Sequence, residues 1–188
     1  MNVKRLVVLV GLGVGLAGSR ASAQNLLINP GFETGDMTGW TVAHLGSFSG
    51  VNNGGGTPHS GVDYFGMGAI SLADQTDFYQ DVATTVGQTY IASFWAYDRD
   101  TPPSGQIHVT FGGVDIGPAS GTVTSGPPYV QYSLTFTATA ASTRLESKGW
   151  EANLWVISYD YSVSAVPEPA TLSLLALGFG IRALRRRS

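Results

Sequence analysis

The stretch Asn25-Leu26-Leu27-Ile28-Asn29-Pro30-Gly31-Phe32-Glu33-Thr34-Gly35, closed by Gly39-Trp40, decides the fold of this chain. Its short apolar run ends in Asn-Pro-Gly, a tripeptide that favours a turn. Phe32 and Trp40 lie on either side of a second turn, and both are large aromatics that need burial. Glu33 is thereby held next to the core. The pattern predicts a strand, a fixed turn and a returning strand, which together would form the first corner of a β-sandwich.

The composition favours one all-β domain flanked by processing segments. The chain has 188 residues, of which 25 are glycine, 12% are charged and 11% are aromatic. Such a balance suits strands joined by tight turns. The chain has no cysteine, so no disulfide can stabilise an exported form. A core of ordinary size, or a bound metal, must therefore hold the fold together.

The charge is distributed unevenly along the chain. Seven of the ten basic residues lie in the terminal segments, and the body from Gln24 to Val166 carries three basic against twelve acidic residues, a net charge of −9. A body this acidic would be repelled by phosphate backbones, which argues against nucleic-acid binding. Neutral sugars, cations and basic surfaces remain open as partners. The carboxylates could also serve only to keep an exported domain soluble.

Residues 1–23 have the features of a secretory signal peptide. Lys4 and Arg5 supply a positive start, and the apolar run 6–17 is too short to span a membrane comfortably. Ala21-Ser22-Ala23 then offers the small residues that a signal peptidase accepts, which predicts Gln24 as the mature N-terminus. The alternative is a buried helix within the fold.

The last segment, 166–188, has three features in a fixed order. Pro167, Glu168 and Pro169 end the preceding strand, a largely apolar run 170–184 follows, and Arg185, Arg186 and Arg187 form a basic cluster near the terminus. The apolar run has about 15 residues, near or below the minimum for a membrane span. Its basic end would stay in the cytoplasm and leave the body outside.

This order of features resembles the PEP-CTERM sorting signal of Gram-negative bacteria; a plain C-terminal tail anchor is the alternative. The resemblance implies export by the Sec route, removal of residues 1–23 by signal peptidase, and transient anchoring in the inner membrane. An exosortase would then cut near Pro-Glu-Pro. The protein would be delivered to the cell surface or to the surrounding polysaccharide matrix.

The body, 24–165, alternates in the manner of β-strands. Its most strand-like segment, 90–97, would place Tyr90, Ala92, Phe94 and Ala96 on one face and Ile91, Ser93, Trp95 and Tyr97 on the other. Both faces carry bulk, which is typical of a central strand that is covered on two sides or that faces a binding groove. About eight to ten strands are expected in all, with no helix inside the body and no internal repeat.

Three motifs of the body resemble those of galactose-binding-like jelly-roll domains, a group that includes many non-catalytic carbohydrate-binding modules. They are the opening Asn29-Pro30-Gly31-Phe32-Glu33 with Gly39-Trp40, the element His59-Ser60-Gly61, and Gly87-Gln88-Thr89-Tyr90 followed by Ser93-Phe94-Trp95. The resemblance extends over most of 25–163. It implies an antiparallel jelly-roll β-sandwich, flanked in this chain by the signal-peptide helix and the C-terminal hydrophobic helix.

The same resemblance implies a structural calcium ion. Jelly-roll domains of this kind often bind calcium with the glutamate of the opening motif and an aspartate of the last strand, which here are Glu33 and Asp160. The family usually has two adjacent aspartates there, whereas this chain has Tyr159-Asp160, so one ligand is missing. Calcium takes six to eight oxygens, and carbonyl groups at 59–61 could add some. Alternatively, the two carboxylates cap turns or accept hydrogen bonds from backbone amides.

Sugar binding is predicted for four aromatic residues, because sugars stack their C–H faces on exposed rings. The candidates are Trp95 and Tyr97 on one strand face, with Trp150 and Trp155 nearer the C-terminus. Trp150 is the leading candidate, since it lies in a polar stretch, 148–153, that is predicted to be a loop. For Trp95 and Trp155 a place in the core is the stronger interpretation. Tyr97 is consistent with either burial in the core or exposure to a ligand.

No sequence pattern for catalysis is present. The chain lacks cysteine, Gly-x-Ser-x-Gly, His-Glu-x-x-His and a phosphate-binding loop, and its three histidines are scattered. Paired carboxylates for glycoside hydrolysis remain open. The sequence therefore predicts an exported, non-catalytic protein that binds extracellular polysaccharide. A structural component of the surface matrix without sugar specificity is the main alternative, and a glycoside hydrolase is a weaker one.

Overall fold

The computed structural model describes residues 24–52 and 56–167 of the chain. The predicted signal-peptide helix, the hydrophobic helix and most of the predicted sorting motif, Glu168, Pro169 and the three arginines, lie outside the described residues. Within those residues, no helix has both the length and the apolar character needed to cross a membrane.

Ten strands form the described body. In chain order they are β1 (Thr41–His44), β2 (Gly50–Val51), β3 (Phe65–Met67), β4 (Thr76–Ala83), β5 (Thr89–Asp98), β6 (Gln106–Phe111), β7 (Val114–Asp115), β8 (Val130–Thr137), β9 (Ser142–Trp150) and β10 (Val156–Ala165), with a 3₁₀ turn at Leu72–Asp74 before β4.

The strands pair into two antiparallel sheets that face each other across the core. The first sheet has the order β1-β4-β9-β6-β7 and the second has the order β2-β3-β10-β5-β8. Consecutive strands lie in the same sheet only for β2 and β3 and for β6 and β7; at every other connection between the described strands the chain changes sheet. The predicted all-β jelly-roll sandwich is therefore confirmed.

The core follows from the alternation of the strands. Along β6 the side chains of Ile107, Val109 and Phe111 are fully buried, while the residues between them are partly exposed. Phe32 and Trp40 of the opening motif are buried as predicted, and their rings stack with centroids 5.6 Å apart. Strands from both sheets thus close over one aromatic cluster that begins in the opening motif.

The apolar run 26–28 was predicted to be a strand, and this was wrong. Its backbone makes only one backbone hydrogen bond to β10 among the described residues, from the Leu26 amide to the Val163 carbonyl at 2.8 Å. Ile28 instead pairs with the side chain of Gln80 on β4, which accepts from its amide at 3.0 Å and donates to its carbonyl at 2.7 Å. The side-chain amide of Gln80 therefore makes the two hydrogen bonds that a neighbouring strand would make to the backbone of Ile28.

The element His59-Ser60-Gly61 returns to the opening motif. The Glu33 carboxylate accepts from the amides of Val62 and Asp63, each at 3.1 Å. It lies directly against Gly61, whose φ of +58° favours glycine, and an added Cβ there would lie 2.2 Å from Glu33 Oε1. A residue with a side chain at position 61 would meet both obstacles at once.

We expect Gly61→Ala to destabilise the sandwich by more than the backbone conformation alone explains. The left-handed backbone costs an alanine roughly 1–2 kcal/mol, and displacement of Glu33 from its amides should add about 1–3 kcal/mol. Gly87→Ala is the matched control, because Gly87 also has a positive φ, +84°, but has no atom within 4 Å of an added Cβ. Urea unfolding measures both; equal losses for the two variants would contradict the role given to Glu33.

Candidate functional site

The four aromatic residues predicted to bind sugar lie in three separate places. Trp150 lies on the outer face of the first sheet, Trp95 and Tyr97 lie on the outer face of the second sheet, and Trp155 lies at one end of the sandwich. These places differ in how much of each ring is open to a ligand.

The outer face of the first sheet is an array of polar and aromatic side chains on its three central strands. We call it the β4–β9–β6 face, and its residues are Asp77, Tyr79, Asp81, Arg144, Glu146, Lys148, Trp150, Gln106, His108 and Thr110. The register places Lys148 between Asp77 and His108, and Glu146 between Tyr79 and Thr110. Strand alternation is local, so these positions could have been found in the sequence as the polar partners of the buried residues.

Ion pairs hold the side chains of this face in place. Arg144 donates from Nε and Nη2 to the two carboxylate oxygens of Asp81 at 2.8 and 3.0 Å, and its guanidinium carbon lies 3.6 Å from the centroid of the Tyr79 ring. The Arg144 guanidinium holds the pKa of the Asp81 carboxyl below its usual range. Lys148 Nζ lies 3.1 Å from Glu146 Oε2 and 3.4 Å from Asp77 Oδ2. These ion pairs therefore fix the charged side chains of the face in position.

Trp150 was expected in a loop, but it is the last residue of β9 and pairs with Gln106 of β6. The alternation of β9 continues through the polar residues before it, which is why the predicted loop forms a strand instead. Its ring is partly buried, and its Nε1 is a buried donor with no hydrogen-bond partner among the described residues. Oδ1 of Asp77, on the same face, is a buried acceptor that likewise has no partner there. Buried polar atoms without partners are uncommon in folded proteins.

Trp95 and Tyr97 do lie on one face of β5, as the alternation predicted, but the chain covers them. The imidazole of His59 stacks on Trp95 with ring centroids 4.0 Å apart and planes 20° apart. Tyr97 is only 4% exposed, and the ring of Tyr129 packs against its ring nearly at a right angle, with the ring centroids 4.6 Å apart. The covering segment includes Gly56, where an added Cβ would lie 3.0 Å from the Tyr97 hydroxyl. Neither ring is open to a flat ligand.

Trp155 lines a cavity of about 220 Å³ at the end of the sandwich where β10 begins. The remaining lining residues are Phe48, Glu151, Ala152, Asn153 and Leu154. The indole N–H donates to the Phe48 carbonyl at 2.8 Å, and the Arg99 guanidinium lies 5.7 Å from the ring centroid. The ring is thus fixed in position, with a cation already near it.

Beneath this cavity lies a buried pair of carboxylates. Asp98 is fully buried and accepts hydrogen bonds from the amides of Asp100, Ser104 and Gly105 at 2.7–2.9 Å. Glu151 is 2% exposed and accepts from the Ser104 hydroxyl at 3.1 Å. Burial, with a smaller contribution from the charge of Glu151, raises the pKa of the Asp98 carboxyl.

The predicted calcium ligands, Glu33 and Asp160, lie at one corner of the sandwich. Glu33 accepts from the Tyr159 hydroxyl at 2.5 Å, and this bond lowers the pKa of the Glu33 carboxyl. Asp160 Oδ2 lies 2.8 Å from Nδ1 of His59, and its Oδ1 accepts from the Ser60 hydroxyl at 3.1 Å. In residues 24–52 and 56–167, no three His, Cys, Asp or Glu side chains are grouped to hold a metal. Calcium at this corner stays a prediction.

A model of the PEP-CTERM protein-sorting motif matches residues 165–187, so the chain carries the sorting motif of an exported protein that is processed at the cell envelope. No curated protein matches the chain in sequence.

The fold is similar to that of carbohydrate-binding modules. The structure of TmCBM61, solved with β-1,4-galactotriose, superposes with a TM-score of 0.60 at 18% identity and covers 77% of this chain and 100% of that chain. The CBM22-1 xylan-binding domain of Paenibacillus barcinonensis Xyn10C gives 0.54 at 15% identity, with 78% and 97% coverage. The enzymatically active domain of bacteriophage CBA120 tailspike protein 4 gives 0.56 at 14% identity, with 76% of this chain but only 21% of that chain.

We expect the pH dependence of stability to separate Asp98 from Asp81. The raised pKa of Asp98 gives stabilisation that is present below the unfolded pKa and lost as pH rises, so wild type should weaken relative to Asp98→Asn between about pH 4 and 7. The lowered pKa of Asp81 gives the opposite sign at lower pH, because its stabilisation is complete above the unfolded pKa and is lost as pH falls, so wild type should weaken relative to Asp81→Asn below about pH 4. Urea unfolding at several pH values measures both slopes. Parallel profiles for wild type and Asp98→Asn would refute the assignment.

Proposed function

We propose that this chain is an exported surface protein that binds an extracellular polysaccharide without catalysis, and that the β4–β9–β6 face is its binding surface. The sorting motif at 165–187 supports the location, and the sandwich that it shares with carbohydrate-binding modules supports the class of ligand. The observation that carries the proposal is the face itself, an array of fixed charged groups beside Tyr79 and Trp150.

The chemistry of the face suits a chain of sugar residues. Each sugar offers apolar C–H groups and hydroxyls that both donate and accept hydrogen bonds, so a binding surface needs aromatic rings and polar groups side by side. The carboxylates and cations of this face are ordered by their mutual pairs, which lowers the entropy cost of fixing them on binding.

The charges favour a neutral polysaccharide over an anionic one. Two of the three cations of the body, Arg144 and Lys148, lie on this face, but each is already paired with carboxylates. The body around them is acidic, with a net charge of −9. A polyanion would meet repulsion that few free cations offset.

The carboxylates of the face are also poorly suited to hydrolysis. A glycosidase needs one carboxylic acid with a raised pKa to protonate the leaving oxygen. Asp81, by contrast, has its pKa lowered by Arg144. Asp98 has a raised pKa, but its side chain is fully buried away from this face. These contacts favour binding over catalysis.

The binding test is affinity electrophoresis of the purified exported protein in gels that contain single polysaccharides. The panel includes neutral galactan, xylan and β-glucan, an anionic polysaccharide, and the exopolysaccharide of the producing organism. We expect selective retardation by a neutral polymer, and about a tenfold or greater loss of affinity in Trp150→Ala and in Tyr79→Ala, equivalent to about 1.4 kcal/mol or more.

Thr135→Ala is the matched control, because Thr135 is exposed on the opposite outer face of the sandwich, on β8. It should bind as wild type does, and unchanged melting temperatures would show that the three variants are folded. Equal affinity of Trp150→Ala, Tyr79→Ala and wild type would reject the β4–β9–β6 face. A folded wild type that no polysaccharide retards would favour the alternative, a structural matrix protein without sugar specificity.

A further inference from the structure

The corner that holds Glu33 and Asp160 is closed by the side chain of Tyr159. Tyr159 is fully buried, and its hydroxyl lies between two oxygens from distant segments, donating to Glu33 Oε1 at 2.5 Å and to the Ser60 carbonyl. Glu33 belongs to the opening motif, Ser60 to the loop before β3, and Tyr159 to β10. One hydroxyl therefore joins three parts of the chain that are far apart in sequence.

The remaining oxygens of this corner already have protein partners. Both oxygens of Glu33 accept from the Val62 amide at 3.1 Å, and Oε1 also accepts from Asp63. The Asp160 carboxylate is engaged by the His59 ring and the Ser60 hydroxyl. Gly31 lies against this corner, since an added Cβ would make van der Waals contact with Asp160 Oδ1 and the Tyr159 hydroxyl, each at 3.4 Å.

This set of donors does not fit a calcium ion. Calcium takes six to eight oxygens at about 2.3–2.6 Å. An ion that bridged Glu33 and the Ser60 carbonyl would need the space that the Tyr159 hydroxyl fills. The hydroxyl brings a proton where a ligand would bring a lone pair or a negative charge, because it donates to Glu33 Oε1.

We propose that the Tyr159 hydroxyl takes the place of a structural cation at this corner. The hydroxyl neutralises no charge. Its proton is shared between Glu33 Oε1 and the Ser60 carbonyl, and these hydrogen bonds connect the opening motif, the His59-Ser60-Gly61 loop and β10. The fold is then independent of calcium. The corner becomes a cation site only when position 159 supplies a carboxylate beside Asp160.

The test compares melting temperatures of the purified exported protein in excess calcium and in excess chelator, with calorimetric titration of calcium as a second measurement. Wild type should melt at the same temperature in both solutions and should show no calcium binding at the corner. Tyr159→Phe should melt several degrees lower, by the same amount in both solutions. Tyr159→Asp should bind calcium, with a melting temperature that calcium raises and chelator lowers.

Tyr129→Phe is the matched control, because the Tyr129 hydroxyl lies in the same aromatic cluster but donates only to the Thr57 carbonyl, at 2.6 Å. It should cost less stability than Tyr159→Phe and should not respond to calcium. A chelator that lowers the melting temperature of wild type overturns the proposal. A Tyr159→Phe variant that is as stable as wild type would also overturn it. A folded Tyr159→Asp variant that binds no calcium would do the same. None of these results depends on whether the protein binds a polysaccharide.

Discussion

The rest of the sandwich depends on the hydrogen bonds that the Glu33 carboxylate accepts. It accepts from the amides of Val62 and Asp63 and from the Tyr159 hydroxyl, so it ties the opening motif to a loop about 30 residues away and to the last strand. Gly61 makes this possible, because only a residue without a side chain leaves room for the carboxylate. With no disulfide available, the corner is fixed by hydrogen bonds and by the aromatic cluster that Phe32 begins.

Fixing this corner also decides which aromatic rings remain open. The loop that Glu33 holds is the loop that carries His59, and His59 stacks on Trp95 while its Nδ1 pairs with Asp160. The part of the second sheet's outer face around Trp95 and Tyr97 is consequently covered by protein, with Tyr97 in a second small core, whereas Thr135 of β8 stays exposed. The outer face of the first sheet has no such cover over its central strands, and its charged residues pair among themselves instead. The two outer faces therefore differ in how far the chain covers their aromatic rings.

Strand β10 connects the sandwich to the sorting motif. β10 starts beside the cavity at Trp155 and ends at Ala165, where the sorting motif begins. Its ten residues span about 33 Å. The Trp155 cavity and Ala165 thus lie at opposite ends of β10.

Sequence alone determined the fold class, the alternation of the strands and the C-terminal sorting motif, because each depends on neighbours within a few residues, while the signal peptide at 1–23 stays a prediction. Period-two alternation placed Trp95 and Tyr97 on one face of β5, and the order of proline, apolar and arginine segments predicted the sorting motif that residues 165–187 match. The candidate site was only partly predictable: Trp150 was identified but assigned to a loop, and Tyr79 and Arg144 were missed as residues of the same face. What only the tertiary structure decided is which rings are covered and what fills the Glu33 corner. These depend on contacts between residues about 30 to 130 positions apart, whose distances no local pattern contains.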